Sequence, residues 1–307
     1  MSRFFLWALL ISGLSTGSVF ASERDANALQ LASVSAAVAR LGSDEPEFSK
    51  RGDWVMPIAS ITKLMTALVV LESEQDLDAW LPVVKRARPA PVNAFSRIRL
   101  ESEATRRDLL HLALMSSENR AAYLLARHHP EGYEAFIEAM NAKARALGMN
   151  NTHFVDSTGL SDANVSTASD LVKLANAAYE YPLIRELSTS SGRWVQFRGP
   201  RYGLQFGNTN PLVRSGRWDV SLSKTGYLNA SGRCLVMIAE MGGEPHVVVL
   251  LDSLGTRTPL GDSGRIRRWL ETGVGGNVAA AALNYERQRA SEIAAELEVA
   301  SPQSAGL

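Results

Sequence analysis

Ser60 and Lys63 are the residues in this chain whose types and spacing most directly suggest chemistry. They stand three positions apart at the start of an apolar segment, SITKLMTALVVLE, and residues three apart on a helix lie on the same face. A lysine that loses its proton, through burial or a neighbouring positive charge, can accept the proton of a serine hydroxyl. The dipole at a helix N-terminus also disfavours a charged lysine. The pair therefore predicts a serine nucleophile with a lysine base.

The Ser-x-x-Lys pattern is weak evidence by itself, because it recurs at Ser221 and Lys224. Two further stretches strengthen the prediction. Residues 117–119, Ser-Glu-Asn, precede an apolar helix, although serine and asparagine are also ordinary helix starters. Residues 224–226, Lys-Thr-Gly, lie on a predicted strand. In this order and on these elements, the three motifs form the constellation of the serine acyl-enzymes that recognise penicillin.

With these motifs, the sequence resembles the low-molecular-mass penicillin-binding proteins, the D-alanyl-D-alanine peptidases of the bacterial cell wall. The resemblance spans about residues 57–273 and includes PIASITKLMTA, LLHLALMSSENRAA, MNNTHFVDSTGLS and NTNPLV. The stretches STGLSDANVSTASDLVKL and SLGTRTPLGDSGRIRRWLE look most like the DD-endopeptidase branch, the penicillin-binding protein 7 type. The carboxypeptidase branch usually adds a β-domain and a basic amphipathic anchor, and we expect neither here.

The resemblance implies a hydrolase that cleaves the D-alanyl cross-links of peptidoglycan and that β-lactam antibiotics inhibit. The reaction would pass through an acyl-enzyme on Ser60 and would need no cofactor or metal. D-alanyl-D-alanine carboxypeptidase activity is the alternative, because the two reactions share the acyl-enzyme and differ only in the leaving amine.

The resemblance also implies catalytic roles for three side chains. Ser60 would be the nucleophile and Lys63 the base in acylation, while Ser117 would relay protons to and from the leaving amine. The oxyanion hole would consist of the backbone N–H groups of Ser60 and Tyr227, since such donors stabilise the charge that develops in the transition state.

Substrate-binding roles are implied for Asn119 and for the strand that carries residues 224–226. Asn119 would hold the substrate's peptide carbonyl or Lys63. Lys224 and Thr225 would bind the substrate carboxylate, and Gly226 would let the substrate backbone lie against the strand. The family also places an arginine near the start of the last helix, and the candidates here are Arg257 and Arg265.

Other classes of protein fit the sequence less well. A class A β-lactamase adds a glutamate that activates the deacylating water, and residues 150–165 contain none. A non-catalytic wall-binding protein would usually have lost the nucleophile or the base, and both are present. The five histidines lack the spacing of metal ligands. Cys234, the one cysteine, lies in the apolar run CLVMIAEM, which predicts a buried strand residue.

An α+β fold is expected to position these motifs. Residues 31–40 and 54–58 are short and β-like, and an apolar helix is predicted at 60–73. Helical periodicity runs from 106 to 148. After residue 190, short apolar runs predict strands, with GGEP as a hairpin turn. These patterns predict an α+β arrangement around a central antiparallel sheet with an inserted all-helical subdomain. The resemblance implies that this is the β-lactamase/DD-peptidase-like fold, in which helices flank the sheet.

The predicted units are divided as follows. Residues 22–86 and 166–275 form a discontinuous α/β domain, 87–165 form the helical subdomain, and 276–307 form a C-terminal tail. The tail is Ala-rich and has four glutamates against two arginines. A membrane anchor would be basic, so the tail is predicted to be a solvated helix or a loose end. Residues 33–56 match the family's paired N-terminal strands only loosely.

The first 21 residues have the layout of a secretory signal peptide: Arg3, an apolar run over 4–14, and small residues up to Ala21. Cleavage after Ala21 and a periplasmic location are predicted. No later stretch approaches the roughly 20 apolar residues of a membrane helix, so no transmembrane anchor is expected. The formal net charge is zero, which gives no reason to expect nucleic acid as a partner.

Overall fold

The computed structural model of the protein describes residues 24–87, 90 and 94–300. The predicted signal peptide and its cleavage point after Ala21 lie outside the described residues. The strands are β1 (Ser35–Arg40), β2 (Phe48–Lys50), β3 (Met56–Pro57), β4 (Trp80–Pro82), β5 (Glu103–Thr105), β6 (Val165–Ser166), β7 (Gly192–Phe197), β8 (Tyr202–Gly207), β9 (Val220–Leu228), β10 (Gly232–Met241) and β11 (Glu244–Ser253). The helices are α1 (Thr62–Glu72), α2 (Arg106–Met115), α3 (Asn119–Arg127), α4 (Gly132–Ala146), α5 (Ala168–Tyr179), α6 (Pro182–Thr189), α7 (Pro211–Ser215), α8 (Thr258–Thr272) and α9 (Ala280–Ala300).

Five strands form one antiparallel sheet in the order β2-β1-β11-β10-β9. The predicted GGEP turn joins β10 to β11, and Gly242 and Gly243 both have the positive φ that such a turn requires. Strand β9, which carries residues 224–226, lies at the edge of the sheet. The prediction of an α+β fold built on an antiparallel sheet is confirmed, whereas the division into two units stays a prediction.

Both faces of the sheet are covered, because successive side chains of a strand point to opposite faces. On β10, Val236 and Ile238 join the larger hydrophobic cluster, which contains side chains from α1 to α6. Leu235 and Met237 face the other way and join a smaller cluster with Trp269 of α8. The near-continuous apolar sequence of β10 follows from this two-sided burial.

Helix α1 is buried on all sides within the larger cluster: Thr62 to Val70 are at most 5% exposed. A helix that is apolar all round is expected to occupy the core. The predicted helix over 60–73 therefore exists, but it is preceded by a 3₁₀ turn at Ala59–Ile61. This turn places Ser60 just before the helix and carries Lys63 into the core.

Over Ala280–Ala300, helix α9 corrects the prediction of a solvated helix or a loose end for the tail, and residues 301–307 lie outside the described residues. Ala282, Ala290 and Ile293 are buried, and Glu286 forms ion pairs with Lys50 at 3.0 Å and Arg51 at 2.5 Å. The glutamates were interpreted as a solvated face, but one of them is a buried partner of two cations from β2 and the turn after it. Across the described ranges, no helix is long and apolar enough to cross a membrane.

Candidate active site

Ser60 lies in a turn whose backbone is in close contact with two glycines. The preceding residue, Ala59, has φ +46°, an unusual conformation that non-glycine residues adopt only when their surroundings enforce it. A Cβ on Gly159 would lie 1.9 Å from the Ala59 carbonyl oxygen, and one on Gly226 would lie 3.1 Å from the Ser60 nitrogen. The backbones of the 156–161 loop and of β9 therefore lie directly against the Ala59–Ser60 peptide.

Lys63 is completely buried beneath Ser60. Its Nζ donates to Ser60 Oγ at 2.7 Å, to Asn119 Oδ1 at 2.8 Å and to the Thr158 carbonyl oxygen at 2.5 Å. Burial lowers the pKa of Lys63 to about 7, against the opposing effects of the carboxylates of Asp156 and Glu118. The amine can therefore gain or lose a proton near neutral pH while it contacts the serine hydroxyl.

Ser117 and Asn119 come from the turn into α3. Ser117 has φ +58°, a second strained non-glycine residue at this site. Glu118 caps the helix, with its side chain accepting a hydrogen bond from the Ala121 N–H at 2.6 Å. This cap fixes Asn119 as the first helical residue, with its amide oxygen on Lys63. Ser60, Ser117 and Asn119 line the same cleft.

Lys224 is the second buried lysine at the site. Its Nζ donates to the Thr225 carbonyl oxygen at 2.8 Å. Burial and the nearby charge of Lys63 hold the pKa of Lys224 well below its usual range. The Thr225 hydroxyl donates to Thr209 Oγ1 at 2.7 Å. The sheet edge thus brings residues 224–226 against the Ser60 turn, as the motif order predicted.

The second Ser-x-x-Lys pattern has no comparable geometry. Ser221 and Lys224 lie on β9, where residues three apart point to opposite faces. The Ser221 hydroxyl instead donates to the Ile238 carbonyl oxygen at 3.4 Å. A helix is needed to bring the two side chains of this pattern together, and only Ser60 and Lys63 have one.

The cleft has a volume of about 570 Å³. Its walls are formed by residues of β9, β10, the loop before α7 and the start of α8. Among the described residues that line it, none is acidic and two are arginines, Arg214 and Arg233. The guanidinium of Arg233 lies 4.0 Å above the ring of Tyr227, and its buried Nε has no hydrogen-bond partner in the described structure.

The two arginines singled out from the sequence are not part of this lining. Arg265 is paired with the buried carboxylate of Asp262 at 2.6 Å, and Arg257 is exposed at the head of α8. Arg233 was not among the site residues predicted from the sequence. The signal that could have indicated it is the pairing of the two predicted strands, because Arg233 lies directly opposite Tyr227 on the neighbouring strand and such pairs share one face of a sheet.

Cys234 also borders the cleft but is not suited to attack a substrate. It is 2% exposed, and burial raises the pKa of its thiol to about 12, which keeps it protonated. Within the described ranges, no three His, Cys, Asp or Glu side chains are grouped as metal ligands would be.

The chain matches the D-alanyl-D-alanine carboxypeptidase family (peptidase family S11) over residues 13–255. It is 50% identical over 266 residues to the D-alanyl-D-alanine endopeptidase of Escherichia coli, covering 87% of this chain and 86% of that protein. Identity with the D-alanyl-D-alanine endopeptidase of Pseudomonas aeruginosa is 49% over 263 residues, with 86% and 85% covered. Among solved structures, the Streptomyces K15 DD-transpeptidase superimposes with a TM-score of 0.66 at 27% identity, covering 84% of this chain and 98% of that one. The motifs, the geometry of the cleft and these similarities agree, and the chain belongs to the D-alanyl-D-alanine carboxypeptidase family of serine peptidases.

Proposed function

We propose that this protein is a DD-endopeptidase that hydrolyses the D-alanyl cross-links of peptidoglycan through an acyl-enzyme on Ser60. The observation that carries the proposal is the contact between Lys63 and Ser60, because a buried amine with a pKa of about 7 lies 2.7 Å from a serine hydroxyl. The two relatives near 50% identity are both D-alanyl-D-alanine endopeptidases, which favours the endopeptidase reaction over carboxypeptidase activity.

In the acylation step, Ser60 Oγ attacks the carbonyl carbon of the D-alanyl residue and its proton passes to the neutral amine of Lys63. The negative charge on the carbonyl oxygen is stabilised by the N–H groups of Ser60 and Tyr227. Gly226 supports this assignment, because its backbone lies against the Ser60 N–H without a side chain between them.

The C–N bond of the cross-link then breaks, and the leaving amine takes up the proton through the hydroxyl of Ser117. In deacylation, water adds to the ester carbonyl and gives a proton to the amine of Lys63. The bond between the acyl carbon and Ser60 Oγ then breaks, and Lys63 returns that proton to Oγ, which regenerates the free serine. Asn119 holds Lys63 in place during both steps, since its amide oxygen accepts a hydrogen bond from the amine.

The carboxylate of the substrate is bound by the cationic part of the cleft. Thr225 of β9 and Arg233 of β10 line it, and the buried Lys224 lies directly before Thr225 on β9. We propose that the cation that binds the substrate carboxylate is Arg233, in place of the candidates from the sequence, Arg257 and Arg265. Within the described part of the chain the guanidinium of Arg233 has no acidic partner, so it is available to a carboxylate in the bidentate geometry that arginine favours.

β-Lactams are proposed to acylate Ser60 and to remain bound, because the nearby carboxylates are engaged elsewhere. Glu118 accepts from the Ala121 N–H, and Asp156 accepts from the N–H groups of Thr158, Gly159 and Ser161. Neither carboxylate lines the cleft around Ser60, which argues against a β-lactamase. A peptidoglycan substrate also requires an extracytoplasmic location, which supports the predicted signal peptide and a periplasmic protein.

The test is digestion of purified peptidoglycan followed by chromatography of the products. Conversion of cross-linked dimers to monomers is expected, whereas conversion of pentapeptides to tetrapeptides alone would establish a carboxypeptidase. Fluorescent penicillin should label the wild type and not Ser60→Ala, whose fold should survive because the Ser60 side chain caps no helix. Labelling of Ser60→Ala would place the nucleophile elsewhere.

A further inference from the structure

The hairpin of β7 and β8 presents a flat aromatic side chain to solvent. The indole of Trp194 is 59% exposed. It lies across Gly203, because a Cβ added there would be 2.3 Å from Trp194 Cζ2. The cross-strand pairs Trp194–Gln205 and Gln196–Gly203 show that all four residues share one face of the hairpin. We call Trp194, Gln196, Gly203 and Gln205 the hairpin surface.

The opposite face of the hairpin anchors it to the protein. Val195, Phe197 and Phe206 are at most 6% exposed and belong to the larger hydrophobic cluster. Phe197 stacks on Tyr202 with ring centroids 4.6 Å apart. The hairpin surface is therefore held on a well-packed support, and a large exposed aromatic side chain in such a place is a feature of binding sites.

Two amide side chains flank the indole. Gln196 Nε2 donates to the Tyr202 carbonyl oxygen at 2.8 Å, and Gln205 Nε2 donates to the Phe206 carbonyl oxygen at 3.3 Å. These bonds orient both amides, and in the described structure neither Oε1 atom has a hydrogen-bond donor. Each oxygen can therefore accept a hydrogen bond from a ligand hydroxyl or acetamido group beside the ring.

A hollow of about 270 Å³ lies between the hairpin and the active site. Its lining includes Ser117 and Asn119 on one side and, on the other, Phe206 of the anchoring face and Gly207, which shares the face of Gln205 on β8. Phe95 lies at the rim and is 79% exposed. A single extended ligand can thus contact the turn that carries Ser117 and continue towards the hairpin. The hairpin is also free of acids, since residues 190–208 contain no Asp or Glu, so it does not repel an anionic polymer.

We propose that the hairpin surface binds the glycan strand of the peptidoglycan whose peptide cross-links enter the cleft, an inference that rests on the proposed function. A pyranose ring has an apolar face of C–H groups, which suits the negative face of an indole. Its hydroxyl and acetamido groups would bond to Gln196 and Gln205 at the edge of the ring. Trp194 then acts in positioning the polymer, not in the chemistry at Ser60.

The test compares Trp194→Ala with Trp194→Tyr and with Trp80→Ala. Trp80 is a matched control, because it lies on the neighbouring strand pair but its ring face is covered by the guanidinium of Arg198 at 4.1 Å. Three quantities are measured: binding of chitotetraose, cleavage of intact peptidoglycan, and cleavage of a cross-linked peptide dimer that carries no sugar. Penicillin acylation reports the integrity of the active site in each variant.

Trp194→Ala should weaken chitotetraose binding and lower cleavage of intact peptidoglycan about tenfold, while the sugar-free dimer and penicillin react as before. Trp194→Tyr should retain most of the binding, and Trp80→Ala should resemble the wild type. The inference is overturned if the wild type does not bind chitotetraose, as expected if this face binds another protein, or if Trp194→Ala loses both cleavage activities equally. If the wild type cleaves no cross-link but binds chitotetraose through Trp194, the proposed function fails and the binding site stands.

Discussion

At the scale of single residues, the unusual property of this site is that two lysines are buried side by side, and neither has a salt bridge to any residue that the structure describes. Lys63 and Lys224 are each at most 1% exposed, and the positive charge of Lys63 further lowers the pKa of Lys224. Burying two cations would be costly, so at least one amine is favoured in its neutral form. A neutral amine is what a serine nucleophile needs as its base.

The first prediction concerns the pH dependence of acylation. In the proposed mechanism Lys63 acts as the neutral amine, so the rate of penicillin acylation should rise with pH and level off above about pH 7. Lys63→Arg should lower the rate about 10²–10⁴-fold, because arginine keeps the charge but cannot be deprotonated. Stopped-flow acylation across pH 5–9 measures both. Near-normal acylation by Lys63→Arg would show that Lys63 acts only as a fixed charge.

The second prediction concerns the carboxylate of the substrate. Arg233→Ala should lower penicillin acylation about tenfold or more, roughly 1.4 kcal/mol in the barrier, because it removes a cation without an acidic partner from the cleft. Arg257→Ala serves as the matched control and should stay within about twofold of the wild type, since Arg257 is exposed outside the cleft lining. A larger loss of penicillin acylation in Arg257→Ala than in Arg233→Ala would identify Arg257 as the ligand of the substrate carboxylate.

At the scale of elements, the position of Ser60 depends on three segments that meet at one peptide. The 3₁₀ turn before α1, the 156–161 loop and the edge strand β9 all contact the Ala59–Ser60 backbone. Asp156 organises the loop by accepting hydrogen bonds from three of its N–H groups. The loop in turn places the Thr158 carbonyl oxygen on Lys63.

The third prediction tests the contact between Gly159 and the Ala59–Ser60 backbone. Gly159→Ala would place a methyl group 1.9 Å from the Ala59 carbonyl oxygen, so the Ser60 turn must shift. Loss of most penicillin acylation and a lower thermal midpoint are expected, with a cost of about 1–3 kcal/mol. Gly132→Ala is the control, because Gly132 also has positive φ but has open space around it. Equal effects of the two substitutions would mean that backbone strain alone is responsible.

At the scale of the whole molecule, the C-terminal helix contacts the N-terminal part of the sheet, on the side remote from β9. Helix α9 lies against β11 and reaches β2 through Glu286, whose carboxylate bridges Lys50 and Arg51. Lys50 also donates to the Leu31 and Ser33 carbonyl oxygens. The C-terminal helix thus stabilises the N-terminal edge of the sheet.

The fourth prediction is that this contact contributes to stability in a pH-dependent way. Burial tends to raise the pKa of Glu286, but hydrogen bonds from Arg51 and Lys50 outweigh it and lower the pKa. The stabilisation is therefore present above the pKa of the unfolded chain and is lost as the pH falls through the lower folded value. Glu286→Gln should reduce the free energy of unfolding by about 1–3 kcal/mol at pH 7.

Urea unfolding at pH 7 and pH 3 measures this contribution, with the exposed Glu296→Gln as the control. The difference in the free energy of unfolding between Glu286→Gln and the wild type should be smaller at pH 3 than at pH 7. A difference that is the same at both pH values would show that the charge of Glu286 does not stabilise the fold.

The sequence by itself determined the family and the class of fold. The motifs at Ser60 and Lys63, at 117–119 and at 224–226 carried the resemblance to the family, and helix and strand periodicity, which are local properties of the chain, indicated the fold. The catalytic roles of these residues stay predictions. The buried position of Cys234 also followed from its apolar neighbours.

Only the tertiary structure decided which charged groups are free and which are paired. Arg265 was a candidate ligand of the substrate carboxylate, yet it is paired with the buried carboxylate of Asp262. Glu286 was interpreted as part of a solvated face, yet it is paired with Lys50. Arg233 looked like an ordinary strand residue and proved to line the cleft. The Glu286–Lys50 pair and the cleft walls form between elements far apart in sequence, so their composition depends on packing that no local pattern contains.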